Sequence, residues 1–264
     1  MKKVILILLF CIVSPPLPVS ADFDHEHGIW DILLKKHVIM KNQDRQSLVD
    51  YTGFKNDSAL FVTYLTQLSL VRQPEYDTWT KNQKLAFLIN TYNAFTIKLI
   101  TDHYPVDSIR DIGGMFKSPW KISFIPLLGK KRSLDEIEHT MIRQKGVFDE
   151  PRIHVALVCA AKGCPALQNQ AYTGGNLNTL LETALIRFLS DTSRNRFNAG
   201  KKKFELSSIF NWYKQDFSDK YGSLNQFLMI YADTFSKSPG DLDVIKHGTF
   251  SVGYSDYDWS LNDD

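Results

Sequence analysis

The sequence predicts an α+β fold: one helix-rich domain around a small, mainly antiparallel sheet, with a central strand at about residues 152–159. Three observations support this prediction. Residues 81–103 carry apolar side chains on more than one side of a helix, which is typical of a helix buried inside a fold. Residues 152–159 form a largely apolar run of strand length, rich in β-branched residues. Two pairs of short segments joined near glycines indicate hairpins.

Helical patterns dominate the first third of the chain. Apolar residues at three- and four-residue spacings predict helices over 27–40 and 58–71. The strongest helix, 81–103, follows them, and Pro105 stops it. Later helices are predicted over 134–144, 174–189, 207–213 and 224–233. The helix over 134–144 opens with the capping-box spacing of Ser133 and Glu136.

The strand patterns fall in the middle and at the end of the chain. One hairpin joins 121–126 to 130–134 near Gly129, and a second joins 197–199 to 203–206 through Gly200. A last strand is predicted over 249–257. The sequence has neither a repeat nor a linker long enough to split it, so one α+β domain is the simplest arrangement.

The composition excludes several classes of protein. The chain has 264 residues, of which 44% are hydrophobic and 23% charged, and this balance excludes a disordered protein. A formal net charge of +2 provides no broad field that would attract nucleic acid, so no nucleic-acid partner is predicted. After residue 21 no stretch approaches membrane-spanning length, and we therefore expect a protein that is not integral to the membrane.

Residues 1–21 have the three parts of a secretory signal peptide. Lys2 and Lys3 give a positive start, residues 4–13 are apolar, and small residues surround Ala21. We expect cleavage near Ala21 and an exported product, periplasmic or secreted. The alternative is a short membrane anchor. Residues 22–78 are expected to form a helical lead-in packed on the domain.

Cleavage would leave two cysteines, Cys159 and Cys164, in one short segment. Small residues follow the predicted strand there, so the chain can turn tightly and expose its N–H groups. A thiol at such a turn is suited to act as a nucleophile beside an oxyanion hole. The alternatives are a core cysteine or a disulfide across the turn, which an oxidising compartment would favour.

Two histidines are candidates for a catalytic base. His154 lies five residues before Cys159, which in an extended strand means about 16 Å and opposite faces. The two residues are therefore not direct partners unless the strand bulges, although His154 could serve Cys164 or be a buried, bonded histidine. His139 shares a helix face with Arg143, and the neighbouring Glu138 lies on the apolar side of that helix.

A carboxylate on an apolar helix face requires a partner. For Glu138 the plausible partners are Arg152 or His154 on the adjacent segment. One interpretation makes His139 a general base and Glu138 its orienting group or an acid. The alternative is a structural ion pair that ties the helix to the predicted strand.

Asn90 and Asn93 are one turn apart on the otherwise apolar central helix. Buried amides must form hydrogen bonds, so these two could bind a substrate or donate to an oxyanion. The alternative is that they bind loop backbone. The sequence contains no zinc-ligand spacing, P-loop, dinucleotide fingerprint or Gly-x-Ser-x-Gly elbow, and no metal or cofactor is predicted.

Several segments together carry a resemblance to a known family. They are FLINTYNAFTIKLI (87–100), YPVDSIRDIG (104–113), LDEIEHTMIR (134–143), PRIHVALVCAAKGCPAL (151–167), FNWYKQDF (210–217) and YDWSLN (257–262). In this combination the chain resembles the family called domain of unknown function 547, over a homology region of residues 79–264.

The resemblance implies an α+β domain found in exported bacterial proteins, with plant relatives inside the cell. The motif positions that it implies are Asn90, Tyr92, Asn93, Glu138, His139, Arg143, Arg152, His154, Cys159, Cys164 and Pro165. This chain has Ala160 where many relatives have glycine, and Gly163 where a serine is usual. The plant relatives occupy a reducing compartment, which favours a functional role for Cys159 over a disulfide.

The leading hypothesis is a cysteine-dependent hydrolase or transferase that acts on an amide or ester outside the cytoplasm. Cys159 would be the nucleophile, with His139 or His154 as base and Glu138 orienting it. Substrate contacts would come from four residues: Asn90, Asn93, Arg143 and Arg152. The alternative is a non-catalytic periplasmic binding or assembly module in which these polar residues form a structural network. Its partner would be a small molecule, a peptide or an envelope component.

Overall fold

The first half of the described chain is helical. The computed structural model describes residues 22–114 and 118–264, so the predicted signal peptide lies outside the described residues. The helices of this half are α1 (Gly28–His37), α2 (Tyr51–Asn56), α3 (Ser58–Leu70), α4 (Gln73–Thr78) and α5 (Lys81–His103). The strands β1 (Val38–Lys41) and β2 (Gln46–Val49) form an antiparallel hairpin between α1 and α2. The prediction of a helix over 27–40 within a helical lead-in did not include this hairpin.

The central helix α5 has the predicted bounds. Thr80 begins it with a capping box, because its hydroxyl accepts the N–H of Gln83 while the Gln83 side chain accepts the N–H of Thr80. Almost every side chain between Leu85 and Ile100 is buried, on all sides of the helix. The prediction of a helix inside the fold is confirmed.

A short hairpin and a π-helix follow α5. Strands β3 (Ile125–Leu127) and β4 (Lys130–Arg132) pair antiparallel as predicted, through a turn in which Gly129 has a φ of +76°. The predicted helix after them is a π-helix, Glu136–Ile142, with wider turns than an α-helix. It begins with the predicted capping box, since Ser133 and Glu136 exchange side-chain-to-backbone hydrogen bonds of 2.8 and 3.1 Å.

The predicted central strand at 152–159 is wrong. Residues Pro151–Val155 form a 3₁₀-helix, and an irregular segment follows it. Pro151 has no N–H to donate to a sheet, and the Glu150 carboxylate accepts the N–H of Arg152, which starts a turn. The run is apolar because it is buried between two cores, not because it lies inside a sheet.

The second half of the chain combines short helices with a small sheet. The helices are α6 (Leu177–Leu189), α7 (Ile209–Trp212), α8 (Lys214–Tyr221), α9 (Leu224–Ile230), α10 (Ala232–Phe235) and α11 (Pro239–Lys246). The strands are β5 (Arg196–Asn198), β6 (Lys203–Ser207) and β7 (Ser251–Ser255). Strand β6 is central, antiparallel to β5 and parallel to β7. The α+β class is confirmed, although the described strands form three separate small sheets instead of one.

Buried side chains form two hydrophobic cores. The first core surrounds α5 and includes side chains from α1, α2 and α3. The second core contains the carboxyl half of α6, β6 and the helices α7 to α11. The segment 151–159 belongs to both, because Ile153 and Ala156 are in the first core while Val155 is in the second. We call this segment the seam. Within the described ranges, no helix combines the length and apolar character needed to cross a membrane.

Candidate functional site

A cavity of about 290 Å³ lies where the two cores meet. Six aromatic side chains line it, and we call it the aromatic cavity: Tyr92, Trp120, Trp212, Tyr213, Tyr257 and Trp259. Its polar and sulfur-containing lining residues are Ser118, Asp135, Glu138, His139, His154, Cys159 and Cys164. The five residues to which the hypothesis gave catalytic or thiol roles therefore all lie at one cavity.

Glu138 projects from the π-helix and is only 7% exposed. The Tyr92 hydroxyl donates to its Oε2 atom over 3.3 Å. Burial raises the pKa of Tyr92 well above 10, and the adjacent Glu138 carboxylate raises it further. The pKa of Tyr213 is raised in the same way, by burial first and by Glu138 second. Both phenols therefore stay protonated and can donate to the carboxylate.

A charged network ties the π-helix to the second core. Arg143 donates to both carboxylate oxygens of Asp216, at 2.7 and 2.9 Å, and its guanidinium lies 4.8 Å from the centre of the Tyr213 ring. Asp216 also accepts from Nε2 of His154 at 2.7 Å. Burial alone would raise the pKa of Asp216, but these hydrogen bonds lower it below its ordinary value.

His154 is held at the seam. Its ring stacks on Tyr213 with centroids 3.7 Å apart. Burial lowers the pKa of His154, and the hydrogen bond to Asp216 opposes that shift only in part. Since Nε2 donates to Asp216, a neutral His154 carries its proton on that nitrogen.

His139 is half-exposed at the cavity wall. Its Nδ1 atom accepts a hydrogen bond of 2.6 Å from Arg143, so its proton resides on Nε2 in the neutral ring. The nearest carboxylate to Nε2 is that of Asp135, at 3.8 Å. The lone pair that a general base needs is therefore occupied by the arginine.

Cys159 and Cys164 form a disulfide across the turn, with Cα atoms 6.3 Å apart. Cys159 is partly exposed to the cavity and Cys164 is buried. The Tyr257 hydroxyl lies 3.2 Å from the Cys159 sulfur, and because a disulfide sulfur has no proton, the hydroxyl is the donor. In this state Cys159 has no thiol, and the nucleophile hypothesis applies only to a reduced form.

The cysteine turn brings the carboxyl-terminal segment to the cavity. The N–H of Gly163 donates to the carbonyl oxygen of Asp258 at 2.8 Å, and a Cβ atom at Gly163 would lie only 2.9 Å from that oxygen. Glycine therefore permits the close approach that places Tyr257 and Trp259 in the wall. At the other end of the turn, Ala160 has a φ of +60°, a conformation that favours glycine.

Much of this site lies in a region that matches a known protein family. Residues 76–189 match the model of a family described as Protein of unknown function, DUF547. Over these residues, which we call the DUF547 region, the chain is similar to that family. No curated protein and no solved structure matches the chain.

The DUF547 region supplies most of the wall, including Tyr92, Trp120, Glu138, His139, His154 and the disulfide. Residues after 189 supply the remaining lining residues: Ile209, Trp212, Tyr213, Tyr257 and Trp259. Asp216 was not among the candidate residues, although it bonds two of them. The cavity aromatics after residue 209 were also missed as site residues. The signal in the sequence was their position in FNWYKQDF and YDWSLN, two segments that carried the family resemblance.

The two asparagines of the DUF547 region bind backbone. Asn93 donates to the carbonyl oxygen of Ala156 at 2.9 Å and accepts the N–H of Val158 at 3.0 Å. Asn90 pairs in the same way with the N–H and carbonyl of Tyr172, at 3.1 and 2.6 Å. Both side chains are 1% exposed, so neither amide is free for a substrate.

The two arginines proposed to contact substrate also have protein partners. Arg143 is engaged by Asp216 and His139, and Arg152 binds Glu150 and Glu182 at 2.7 and 3.1 Å. Neither arginine lines the aromatic cavity. Within the described residues, no group of three or more His, Cys, Asp and Glu side chains is arranged to hold a metal ion.

Proposed function

We propose that the protein is an exported, non-catalytic binding module and that the aromatic cavity is its ligand site. The observation that carries the proposal is the disulfide in the cavity wall, which removes the one thiol placed to attack a bound ligand. Thiolate, not disulfide sulfur, is the nucleophile in cysteine-dependent hydrolysis.

His139 supports the same conclusion, because a base must have a free lone pair within hydrogen-bond reach of the proton that it removes, and the Nδ1 lone pair of His139 accepts from Arg143. His154 donates from Nε2 to Asp216 and is stacked on Tyr213, which holds its ring at the seam. The network instead fixes the walls of the cavity, which is what a binding site requires.

Export is supported by two independent features. Residues 1–21 have the pattern of a signal peptide. Disulfides persist in oxidising compartments such as the bacterial periplasm and are rare in the cytosol.

Tryptophan fluorescence and thermal unfolding test the binding role. The probes are choline, N-acetylglucosamine, diglycine and acetate, chosen as one cation, one sugar, one peptide and one anion. We expect at least one of them to raise Tm and to change the emission of the oxidised protein, because three tryptophans line the cavity. The Trp212→Ala variant should weaken that response. Another exposed apolar residue, Ile230, lies outside the cavity and provides the control variant Ile230→Ala. If none of the probes produces a response, the binding proposal is contradicted.

A reducible thiol hydrolase is the second candidate. The observation in its favour is that Glu138, His139, His154 and both cysteines line one cavity. The test is hydrolysis of p-nitrophenyl acetate before and after treatment with dithiothreitol, in the wild type and in Cys159→Ala. Turnover that appears only on reduction and is lost in Cys159→Ala, but is retained in Cys164→Ala, would replace the binding proposal. We expect no such turnover.

A further inference from the structure

The aromatic cavity has an electronegative lining. It contains two carboxylates, Asp135 and Glu138, and none of the described residues around it is a lysine or an arginine. The faces of aromatic rings are also negative, because their π-electrons form a quadrupole. Arginine side chains lie over two of these rings, Arg143 at 4.8 Å from the centre of Tyr213 and Arg110 at 5.3 Å from the centre of Trp259. The two carboxylates and the other four rings favour a positively charged ligand and disfavour an anion.

Glu138 is the least compensated charge in the wall. It is 93% buried, and the hydrogen bond that it accepts from Tyr92, a neutral phenol, is long at 3.3 Å. In the described part of the chain, no lysine, arginine or histidine nitrogen forms an ion pair with it, since the nearby Arg143 is bound to Asp216. A carboxylate that is buried without a cation is unfavourable, because its charge loses hydration and gains no opposite charge.

Three aromatic side chains of the wall lie against one another. Trp212 and Trp259 stack with centroids 5.9 Å apart, and Tyr257 is 4.9 Å from Trp212 and 4.7 Å from Trp259. Trp212 is 48% exposed, which places it at the cavity mouth. Tryptophan and tyrosine rings around a buried carboxylate are the arrangement by which proteins recognise ammonium groups.

We infer that the aromatic cavity binds a small organic cation, with an alkylammonium or quaternary ammonium group seated against Glu138. The inference rests on the proposed binding function and specifies its ligand class. The volume of about 290 Å³ is at the lower end of the range for ligand sites, which indicates a small molecule or one head group. The ligand would supply the positive charge that Glu138 lacks within the protein.

Isothermal titration of the oxidised protein tests the charge requirement directly. The probes are choline and its neutral isostere, in which a tert-butyl group replaces the trimethylammonium group. The two have nearly the same shape, so a difference between them reports charge. We expect choline to bind at least about tenfold more tightly, with an affinity in the millimolar range or better.

Single-residue variants test whether choline binds against Glu138. Glu138→Gln should bring the affinity for choline down to that for the isostere, while Trp212→Ala should weaken both. Glu136→Gln is the matched control: it removes a carboxylate from the same π-helix, keeps a residue accepted in a capping box, and should leave choline affinity unchanged. If Glu138→Gln does not fold, the comparison of choline with its isostere in the wild type still decides the question.

The outcomes separate the two proposals. Equal affinity for choline and its isostere, or binding of N-acetylglucosamine without choline, would overturn the organic cation and retain the binding function. Choline binding that persists unchanged in Glu138→Gln would overturn the assigned position. Absence of binding by any of these probes up to roughly 50 mM would overturn both proposals.

Discussion

The first core surrounds a single helix of 23 residues, α5, whereas the second core contains five helices of four to eight residues. Helices as short as those in the second core are not stable by themselves in water. They are held by aromatic packing, in which Phe210, Phe217 and Phe227 have ring centroids 4.8–5.8 Å apart. In the first core, neighbouring elements pack around one long helix. In the second core, the short helices are stabilised by their packing against one another.

Polar groups of the seam form hydrogen bonds with side chains from both cores. On one side, Asn93 of α5 acts as a partner for the backbone of the seam. On the other, Asp216 of α8 binds His154 of the seam and Arg143 after the π-helix. The aromatic cavity lies between these two attachments. The geometry of the cavity therefore depends on both sets of hydrogen bonds.

The largest loss of stability is expected when the Asn93 hydrogen bonds, which attach the seam to the first core, are removed. Asn93→Ala would leave the carbonyl of Ala156 and the N–H of Val158 buried without partners. Each orphaned group costs about 1–3 kcal/mol, so we expect a loss of about 3 kcal/mol in the free energy of unfolding. Urea denaturation measures it. Asn82→Ala, at an exposed position of the same helix, should cost less than about 0.5 kcal/mol.

Removing the Asp216 hydrogen bonds, which attach the seam to the second core, should lower the free energy of unfolding slightly less. Asp216→Ala leaves Arg143 and His154 without their shared carboxylate, and we expect a loss of about 2.5 kcal/mol because the carboxylate is only partly buried. Asp219→Ala is the control on the same helix. Asp219 is exposed and lies 4.0 Å from Lys145, so its loss should be close to zero. Equal losses in both variants would mean that the network does not join the cores.

The contrast between the cores explains which elements the sequence could predict. The bounds of α5 follow from a cap at Thr80 and an uninterrupted apolar pattern, which are local signals. The capping box of the π-helix and the two predicted hairpins are local too. The seam is apolar because of its tertiary position, and its backbone partner is a side chain of a distant helix. A single-sequence pattern cannot distinguish that environment from a central strand.

The candidate site divides in the same way. Glu138, His139, His154, Cys159 and Cys164 could be found from the sequence because they are polar or reactive groups in apolar surroundings. Their partners could not. Asp216, which binds His154, and Tyr257, which lies in the cavity wall, come from segments 52 or more residues beyond Cys164. Packing of the second core and the close approach at Gly163 bring them to these positions.

Acid should destabilise the first core through His27. This histidine is 2% exposed, its Nδ1 atom lies 2.8 Å from the Tyr64 hydroxyl, and burial lowers its pKa from 6.5 to about 3. Below pH 6.5 the unfolded chain binds a proton that the folded chain does not, so stability falls as the pH falls, until the pH approaches 3.

Between pH 7 and pH 5 we expect this one group to cost about 2 kcal/mol. The measurement is urea denaturation of the wild type and His27→Gln at both pH values, because the difference between the two proteins cancels the other titrating groups. A pH dependence identical in both would show that the pKa of His27 is the same in the folded and the unfolded state, and would contradict the prediction.

The smallest effect is expected when a helix cap is removed in each core. Ser223 caps α9 by accepting the N–H of Gln226 at 3.1 Å, and Thr80 caps α5 by accepting the N–H of Gln83 at 3.3 Å. The first turn of α9 carries the buried Leu224, so its unwinding would expose the second core. The first turn of α5 is exposed or only partly buried and can unwind while the first core stays intact.

We therefore expect Ser223→Ala to cost about 1 kcal/mol and Thr80→Ala about 0.5 kcal/mol, although in both caps a hydroxyl accepts one backbone N–H. Urea denaturation of both variants in one buffer measures the difference. A cost for Thr80→Ala that equals or exceeds that of Ser223→Ala would show that α5 depends on its cap as much as the short helices do. In that case the long helix could not be regarded as the element that organises the first core.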